Sequence, residues 1–457
     1  MSSNPSKIMI DEYDAKLGYH RSVLPLDIRL GITTTSSSPS SSSSSLEQPL
    51  LLRWGLLATG KVAHDFAQAL KFLPHHTITA VGSRTIERAE WFARRHDIPT
   101  AHGTYEELAS DPNVDVVYIA SLHPDHKDHA VMALNSGKHV LVEKPMTMRA
   151  EDAQLLYDLG KQKRLFVGEG MWTRFFPAVE WTRSRIGGCN DDDDNNNEGE
   201  VVAEPKIGNV RVIQADFSID GEDVGPYPTD SLYAKELGGG SAWTMLPYVV
   251  GAFSLPIGSR EPDRITANGI VPDDDNDVGD VAIGMTMTFT IDDDESHQQQ
   301  QSASRANNID SRPPPRNKAI ASGVVGYLAE SSEVTMYAGK RGRIIVNAPA
   351  HCPTSATLIW KPVGSRGNGA TSTSSDSGGD SSSNPTTMHV EFPLPLPSKA
   401  ILDSGGVQLP NSMGFVYEAE AVRRLISAKY YTFPQWTPEQ SVNSIRTIEQ
   451  MLNQINQ

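Results

Sequence analysis

The first segment with a chemical pattern is Ala58-Thr59-Gly60-Lys61-Val62-Ala63, which follows an apolar run. It has the form A-x-G-x-x-A, a degenerate version of the glycine-rich turn that opens a helix beneath a pyrophosphate. In that context the backbone N–H groups at the helix start face the anion. The next apolar run ends at Ser83-Arg84. A carboxylate there would take a ribose 2′-hydroxyl; a guanidinium suits a 2′-phosphate instead. The pair therefore predicts NADP(H). Val142-Glu143-Lys144-Pro145 ends a further run and puts an ammonium where the nicotinamide would lie. Taken alone, Glu-Lys-Pro reads as a surface turn. Thr244 and Tyr248 follow the run Gly238-Gly239-Gly240. Their spacing of four makes them neighbours on one helix face, and the glycines allow close approach of backbone to another group. Taken alone, this segment reads as a flexible loop before a core helix.

His123, His126 and His129 invite a zinc reading. Positions i and i+3 share a helix face, but i+6 lies about 600° round, so the third imidazole points away. No metal is expected. Leu122-His123-Pro124 reads instead as a loop beside the nicotinamide, with Pro124 against the cofactor.

These residues need a sheet that exposes its strand ends. Between 51 and 174, short apolar runs (51–58, 77–82, 114–120, 139–142 and 165–167) alternate with helical patterns. Val62, Phe66, Ala69 and Leu70 form one helix face; 86–96 and 126–135 are further helices. Strand–helix alternation predicts a parallel sheet covered on both faces, with ligands at the carboxyl ends of its strands. From 175 to 457 the period changes. Val281, Ile283, Met285, Met287, Phe289 and Ile291 alternate, as in a strand with one wet face. Segments 210–218, 324–328, 344–346 and 357–360 are further strands, and 418–428 and 438–454 are closing helices. The expected fold is α/β: an N-terminal Rossmann unit, 51–174, and a C-terminal α/β unit, 175–457, with a large, mostly antiparallel open sheet.

The chain has 457 residues and a formal net charge of −16. Fourteen acidic residues fall in three runs, within 190–200, 273–277 and 292–295, and the remainder is near −2. A nucleic-acid surface therefore has no support. No apolar stretch reaches the ~18 residues of a membrane helix. Two cysteines, Cys189 and Cys352, exclude a disulfide scaffold. Residues 1–50, with nine serines and a proline over 36–45, read as a disordered tail. Polar inserts at 189–200, 273–277, 292–318 and 364–386 read as surface loops. A cytoplasmic protein is expected.

In this order the motifs resemble the Gfo/Idh/MocA oxidoreductase family over residues 52–457, inserts removed. The features that carry the likeness are Trp54-Gly55, Ala58-Thr59-Gly60-Lys61, Ser83-Arg84, 122–124, 137–145, Glu236-Leu237-Gly238-Gly239-Gly240, and Gly414 to Glu420. Glu143-Lys144-Pro145 marks the whole family. The narrower string Trp172-Thr173-Arg174-Phe175-Phe176-Pro177 points to the branch of dihydrodiol dehydrogenases and NADP-dependent D-xylose 1-dehydrogenases. The resemblance implies oxidation of a sugar or cyclic diol hydroxyl by hydride transfer to NADP⁺, in a homodimer. It implies Tyr248 as catalytic base, its phenol acidified by Lys144, with Thr244 beside it. Ala58, Thr59, Gly60, Lys61, Val62, Ser83, Arg84, Leu122, His123, Pro124, Glu143 and Lys144 would hold the cofactor. Trp172, Arg174, Phe176 and Tyr248 would line the substrate side. The family pattern is Asp-x-Gly-x-Tyr or -His, where this chain has Thr244, Leu246 and Tyr248. That departure supports a second reading, a catalytically weak dinucleotide-binding regulator on the same fold.

Overall fold

The computed structural model describes residues 50–187, 206–223, 225–227, 229–272, 277–291, 318–360 and 385–456. The expected tail and nearly all of the four inserts lie outside the described residues.

The first sheet has six parallel strands in the order β3-β2-β1-β4-β5-β6. They are β1 Leu52–Leu57, β2 His76–Gly82, β3 Thr100–His102, β4 Val116–Ile119, β5 His139–Glu143 and β6 Val167–Gly170. Chain order reverses between β1 and β4, which opens a crevice at their carboxyl ends. Helices α1 Lys61–Phe72, α2 Ile86–His96, α3 Tyr105–Ser110, α4 His126–Asn135 and α5 Ala150–Lys163 cover the sheet. Burial on both faces explains the near-continuous apolar runs of β1 and β4. Phe66 of α1 is fully buried and stacks on Tyr118 of β4 at 3.8 Å. Its burial contributes about 2–3 kcal/mol.

The second sheet has eight strands in the order β14-β13-β12-β11-β7-β10-β9-β8. They are β7 Val210–Ser218, β8 Arg264–Ile270, β9 Ala282–Thr290, β10 Lys318–Gly326, β11 Thr335–Gly339, β12 Gly342–Val346, β13 Ser355–Trp360 and β14 Thr386–Glu391. Only β7 and β10 pair in parallel. The alternation expected over 281–291 is that of β9: Ile283, Met285, Met287 and Phe289 are buried, and the opposite face is wet. That wet face also carries exposed Val212, Ile320 and Val324.

Helix α6, Pro177–Arg185, joins the two sheets; α7, Ser241–Thr244, and α8, Leu246–Ile257, cover the inner face of the second. The chain closes with α9 Lys399–Asp403, α10 Phe415–Ser427 and α11 Pro438–Ile455. These last elements return to the first sheet. Helix α10 packs on α1, and α11 packs on α5 and β8. The Asp65 carboxylate of α1 accepts from Gln408 N (2.8 Å), Leu409 N (2.8 Å) and Ser412 Oγ (2.7 Å). Val167 of β6 donates to the carbonyl of Tyr431 at 2.9 Å. Packing therefore crosses the expected boundary at 174/175.

Two strand expectations change, and four strands, β3, β8, β11 and β14, have no counterpart among the expected ones. The strand expected at 165–167 begins at Val167, and the one expected at 324–328 starts at Lys318, inside what reads as an insert. β3 has three half-buried residues and no apolar run to announce it.

Candidate active site

The turn after β1 places Ala58 at φ +85°, a left-handed conformation that costs a non-glycine residue about 1–2 kcal/mol. Gly60 caps α1, and a Cβ there would meet nothing within 4 Å. The helix N-terminus is thus open on the side of the crevice, and the turn fits a dinucleotide pyrophosphate. Thr59 is buried and its Oγ1 accepts from Arg88 Nε at 3.2 Å. Lys61 is exposed and Val62 half-buried at the helix start. Ser83 is buried and donates from its backbone to His102 O at 3.2 Å, leaving Arg84 exposed at the rim. Arg88 is a cation the motif reading missed. It lies in the first turn of α2, after the N-cap Thr85, whereas Arg84 precedes the helix.

Glu143 and Lys144 end β5. Glu143 is buried, accepts a short hydrogen bond from Tyr118 OH, and accepts from Lys144 N at 3.2 Å. Burial pushes its carboxyl up. Its carboxylate is thereby tied to Tyr118 and to the backbone at the strand end. Lys144 Nζ donates to the Thr244 carbonyl at 2.8 Å and stands 4.5 Å from the Tyr248 ring centroid. Burial lowers its pKa to about 8, against the opposing charges of Glu143 and Glu169. Glu169 is itself buried, accepting from Met146 N (2.9 Å), Trp436 Nε1 (2.6 Å) and Ser441 Oγ (2.5 Å).

Tyr248 lies in the first turn of α8, and its hydroxyl accepts from Trp172 Nε1 at 3.1 Å. Burial, and then the Glu143 charge, push the phenol well above its ordinary value. The Lys144 ammonium sits over the ring face, so any acidification by it acts against this burial.

Thr244 is near Lys144, but only its carbonyl turns that way. Its buried hydroxyl donates to Gly240 O at 2.8 Å and makes a short hydrogen bond with Tyr327 OH. The expected side-chain role beside Tyr248 is therefore corrected: this hydroxyl braces the glycine turn. That turn approaches the first unit closely. Gly238 has φ +76°, and a Cβ there would come within 2.8 Å of His123 Cβ. His123 Nδ1 lies 2.9 Å from Gly238 O, and burial, with His126 and Lys144 nearby, takes its pKa down to about 3. Pro124 is exposed and Leu122 half-buried on the same loop.

His126 lies against Pro145 O and Ser121 O, and His129 against Ser121 Oγ. Each imidazole is thus engaged by backbone or hydroxyl oxygen, His126 and His129 through different atoms of Ser121. Among the described residues no cluster of three ligands forms.

On the substrate side Trp172 stacks on Phe415 at 4.4 Å. Arg174 lines the same cavity as Tyr248, Phe217 and His351, whereas Phe176 is not among its lining residues. The Arg174 guanidinium is buried and donates to Gln435 O (3.0 Å) and Gly251 O (3.2 Å). Phe176 is fully buried behind Trp172, packed against Tyr417. The reading missed Phe217 and His351, whose rings stack at 4.3 Å beside Tyr248.

A parallel nucleotide-binding sheet joined to an open, mostly antiparallel one is the architecture of NAD(P)-binding oxidoreductases. Residues 52–171 match the oxidoreductase family with NAD-binding Rossmann fold, Gfo/Idh/MocA, and the chain carries a domain of that family. It is 39% identical over 222 residues to a trans-1,2-dihydrobenzene-1,2-diol dehydrogenase from Sus scrofa, covering 48% of this chain and 60% of that protein. The protein of the same name from Danio rerio is 29% identical over 382 residues, 83% of this chain and 89% of its own length. The match thus spans about three fifths of the pig protein and most of the fish one. Among solved structures, the fold matches a 3-ketoreductase from Actinomadura kijaniata in complex with NADP and TDP-benzene (TM-score 0.61, 18% identity, 89% of this chain and 98% of that one). It also matches a levoglucosan dehydrogenase in complex with NADH and levoglucosan (TM-score 0.64, 15% identity, 89% and 97%). Among the described residues, no helix is long and apolar enough to cross a membrane.

Proposed function

We propose that this chain is an NADP(H)-dependent dehydrogenase that oxidises a hydroxyl of a cyclic diol or a sugar. The observation that carries the reading is the meeting of Lys144 Nζ with Tyr248 at the crevice, 4.5 Å from ring centroid to ammonium. The turn at Ala58–Gly60 and the N-terminus of α1 would hold the pyrophosphate. Arg84 and Arg88 would hold the 2′-phosphate. The nicotinamide, when bound, supplies the hydride acceptor.

The chain's own groups handle the proton. Lys144, with a pKa of about 8, takes the hydroxyl proton through its neutral amine, as a base poised near working pH should. Tyr248 stays a phenol and orients the hydroxyl by hydrogen bonding, with Trp172 fixing its oxygen. The Thr244 carbonyl fixes the amine. This exchanges the roles that the family resemblance implies for lysine and tyrosine. Diol-oxidising relatives support the substrate class, and no sugar is singled out. The protein is read as cytoplasmic. It is read as a homodimer through the wet face of the second sheet, where Val212, Ile320 and Val324 are exposed.

One observation favours the second reading, a regulator that binds dinucleotide with little turnover. Thr244 supplies no charge or proton relay to the site, because its hydroxyl is engaged by Gly240 and Tyr327. The deciding experiment follows NADPH formation with D-xylose, D-glucose, L-arabinose and a trans-dihydrodiol, with cofactor titration on the same samples. Turnover of a panel member is expected. Tight NADPH binding with no turnover would transfer the proposal to the regulator.

A further inference from the structure

His351 lies outside every motif described in the sequence, yet its imidazole is part of the wall beside Tyr248. It stacks on Phe217 at 4.3 Å and 8°, with Tyr248 at 5.4 Å and Trp172 at 6.4 Å. Its backbone is pinned by a short hydrogen bond from Thr173 Oγ1 to its carbonyl. Nε2 lies 3.3 Å from the Cys352 thiol, a weak partner. Nδ1 is buried, has no hydrogen-bond partner, and lies 3.3 Å from Glu333 Oε2. The two side chains are 12% and 16% exposed, so the pair borders the cleft and is not part of the core.

Glu333 is held there at a cost. Its φ is +46°, a left-handed conformation unfavourable to a glutamate. The surrounding structure imposes it: Glu333 N donates to Asp216 Oδ2 at 2.7 Å, and its carbonyl accepts from Ala350 N at 2.8 Å. Strained backbone that aims a carboxylate at an imidazole in a cleft is the pattern of a working site. A wall of Trp172, Phe217 and Tyr248 alone would recognise any flat apolar ring. The imidazole gives that wall its polar edge.

We propose that His351, its Nδ1–H turned toward Glu333, is a specificity-determining residue whose Nε2 accepts from the ring hydroxyl next to the one oxidised, selecting cyclic vicinal diols and sugars over simple cyclic alcohols. The inference rests on the dehydrogenase reading above. A hydroxyl is a better donor than the thiol, so bound substrate displaces Cys352 from Nε2. The aromatic wall covers the ring's apolar face. A substrate lacking the second hydroxyl leaves Nε2 with only its weak sulfur partner, and a site built this way discriminates by hydrogen bonding more than by shape.

The test compares trans-cyclohexane-1,2-diol with cyclohexanol for the wild type, His351→Phe, His351→Asn and Glu333→Gln. Steady-state kinetics are paired with calorimetric titration of the diol. The phenyl ring keeps the stack on Phe217 and removes the acceptor. The expected result is a wild-type kcat/KM preference for the diol of about 10- to 100-fold, the range of one hydrogen bond to a polar site. In His351→Phe that preference collapses toward unity through a higher diol KM, and calorimetric affinity for the diol falls about tenfold. His351→Asn restores part of it, and Glu333→Gln loses a few-fold. An unchanged preference and unchanged diol affinity in His351→Phe and Glu333→Gln overturn the proposal while leaving the dehydrogenase reading intact. A wild type that neither binds nor oxidises the diol or any panel sugar overturns both.

Discussion

Lys144 meets Tyr248 over the face of its ring, 4.5 Å from Nζ to the centroid, while the phenol oxygen is taken by Trp172. The two groups therefore differ in how they titrate. The amine is drawn down to about 8 by burial, and the phenol is driven up. The proton acceptor proposed above is accordingly the amine.

Replacing Lys144 with Met should lower kcat about 10²- to 10⁴-fold, the usual range for a lost general base, with cofactor affinity changed far less. Tyr248→Phe should lower kcat/KM while retaining the pH dependence of the wild type. Following reduced nicotinamide in a stopped assay across pH tests both. Retention of wild-type kcat in Lys144→Met would remove the lysine from the site.

The pH profile of oxidation should rise through about pH 8 as the Lys144 ammonium deprotonates. Stability should show the same group. Below about 8 the lysine is protonated in both folded and unfolded chains, and its buried charge is a penalty on the fold. Between about 8 and the unfolded value of 10.5 only the unfolded chain keeps the proton, so stability rises with pH. Lys144→Met should be more stable than wild type near pH 7, with the difference vanishing above the unfolded value. Denaturant titrations at several pH values decide this.

Arg84→Ala and Arg88→Ala should each weaken NADP⁺ about tenfold and leave NAD⁺ nearly unchanged, because each removes a charge-assisted contact to the 2′-phosphate alone. Fluorescence titration with both nucleotides measures it. Equal losses for the two nucleotides would place the guanidinium groups elsewhere.

Thr244→Asp should not raise activity. A carboxylate at that position would face Gly240 O in a buried pocket braced by Tyr327, at a cost of about 1–3 kcal/mol. A lowered melting temperature with no gain in rate is expected. A faster enzyme would mean that the turn can reopen toward Lys144.

Much of this was legible in residue order. The strand–turn–helix over 52–63, Glu143-Lys144-Pro145 at a strand end, and the period-two run of β9 all follow from local patterning. Helix α5 was legible too, since Ala153, Leu156, Tyr157 and Gly160 line one buried face, but it went unread. What escaped was set by partners far along the chain. The direction of the Thr244 hydroxyl depends on Tyr327, 83 residues on. The burial of Phe176 depends on Tyr417, and the placing of His351 on Phe217. No window of neighbouring residues contains those pairs.

The bonds from Asp65 to Gln408, Leu409 and Ser412 join atoms 343 to 347 residues apart. During synthesis, most of the chain must leave the ribosome before the first nucleotide-binding helix has its final neighbours. The N-terminal part would emerge with that face of α1 bare. Its last folding step would be long-range and slow, and the waiting intermediate would expose apolar surface to aggregation. Cutting the chain after the first sheet should therefore give a poorly soluble fragment and not an autonomous nucleotide-binding module.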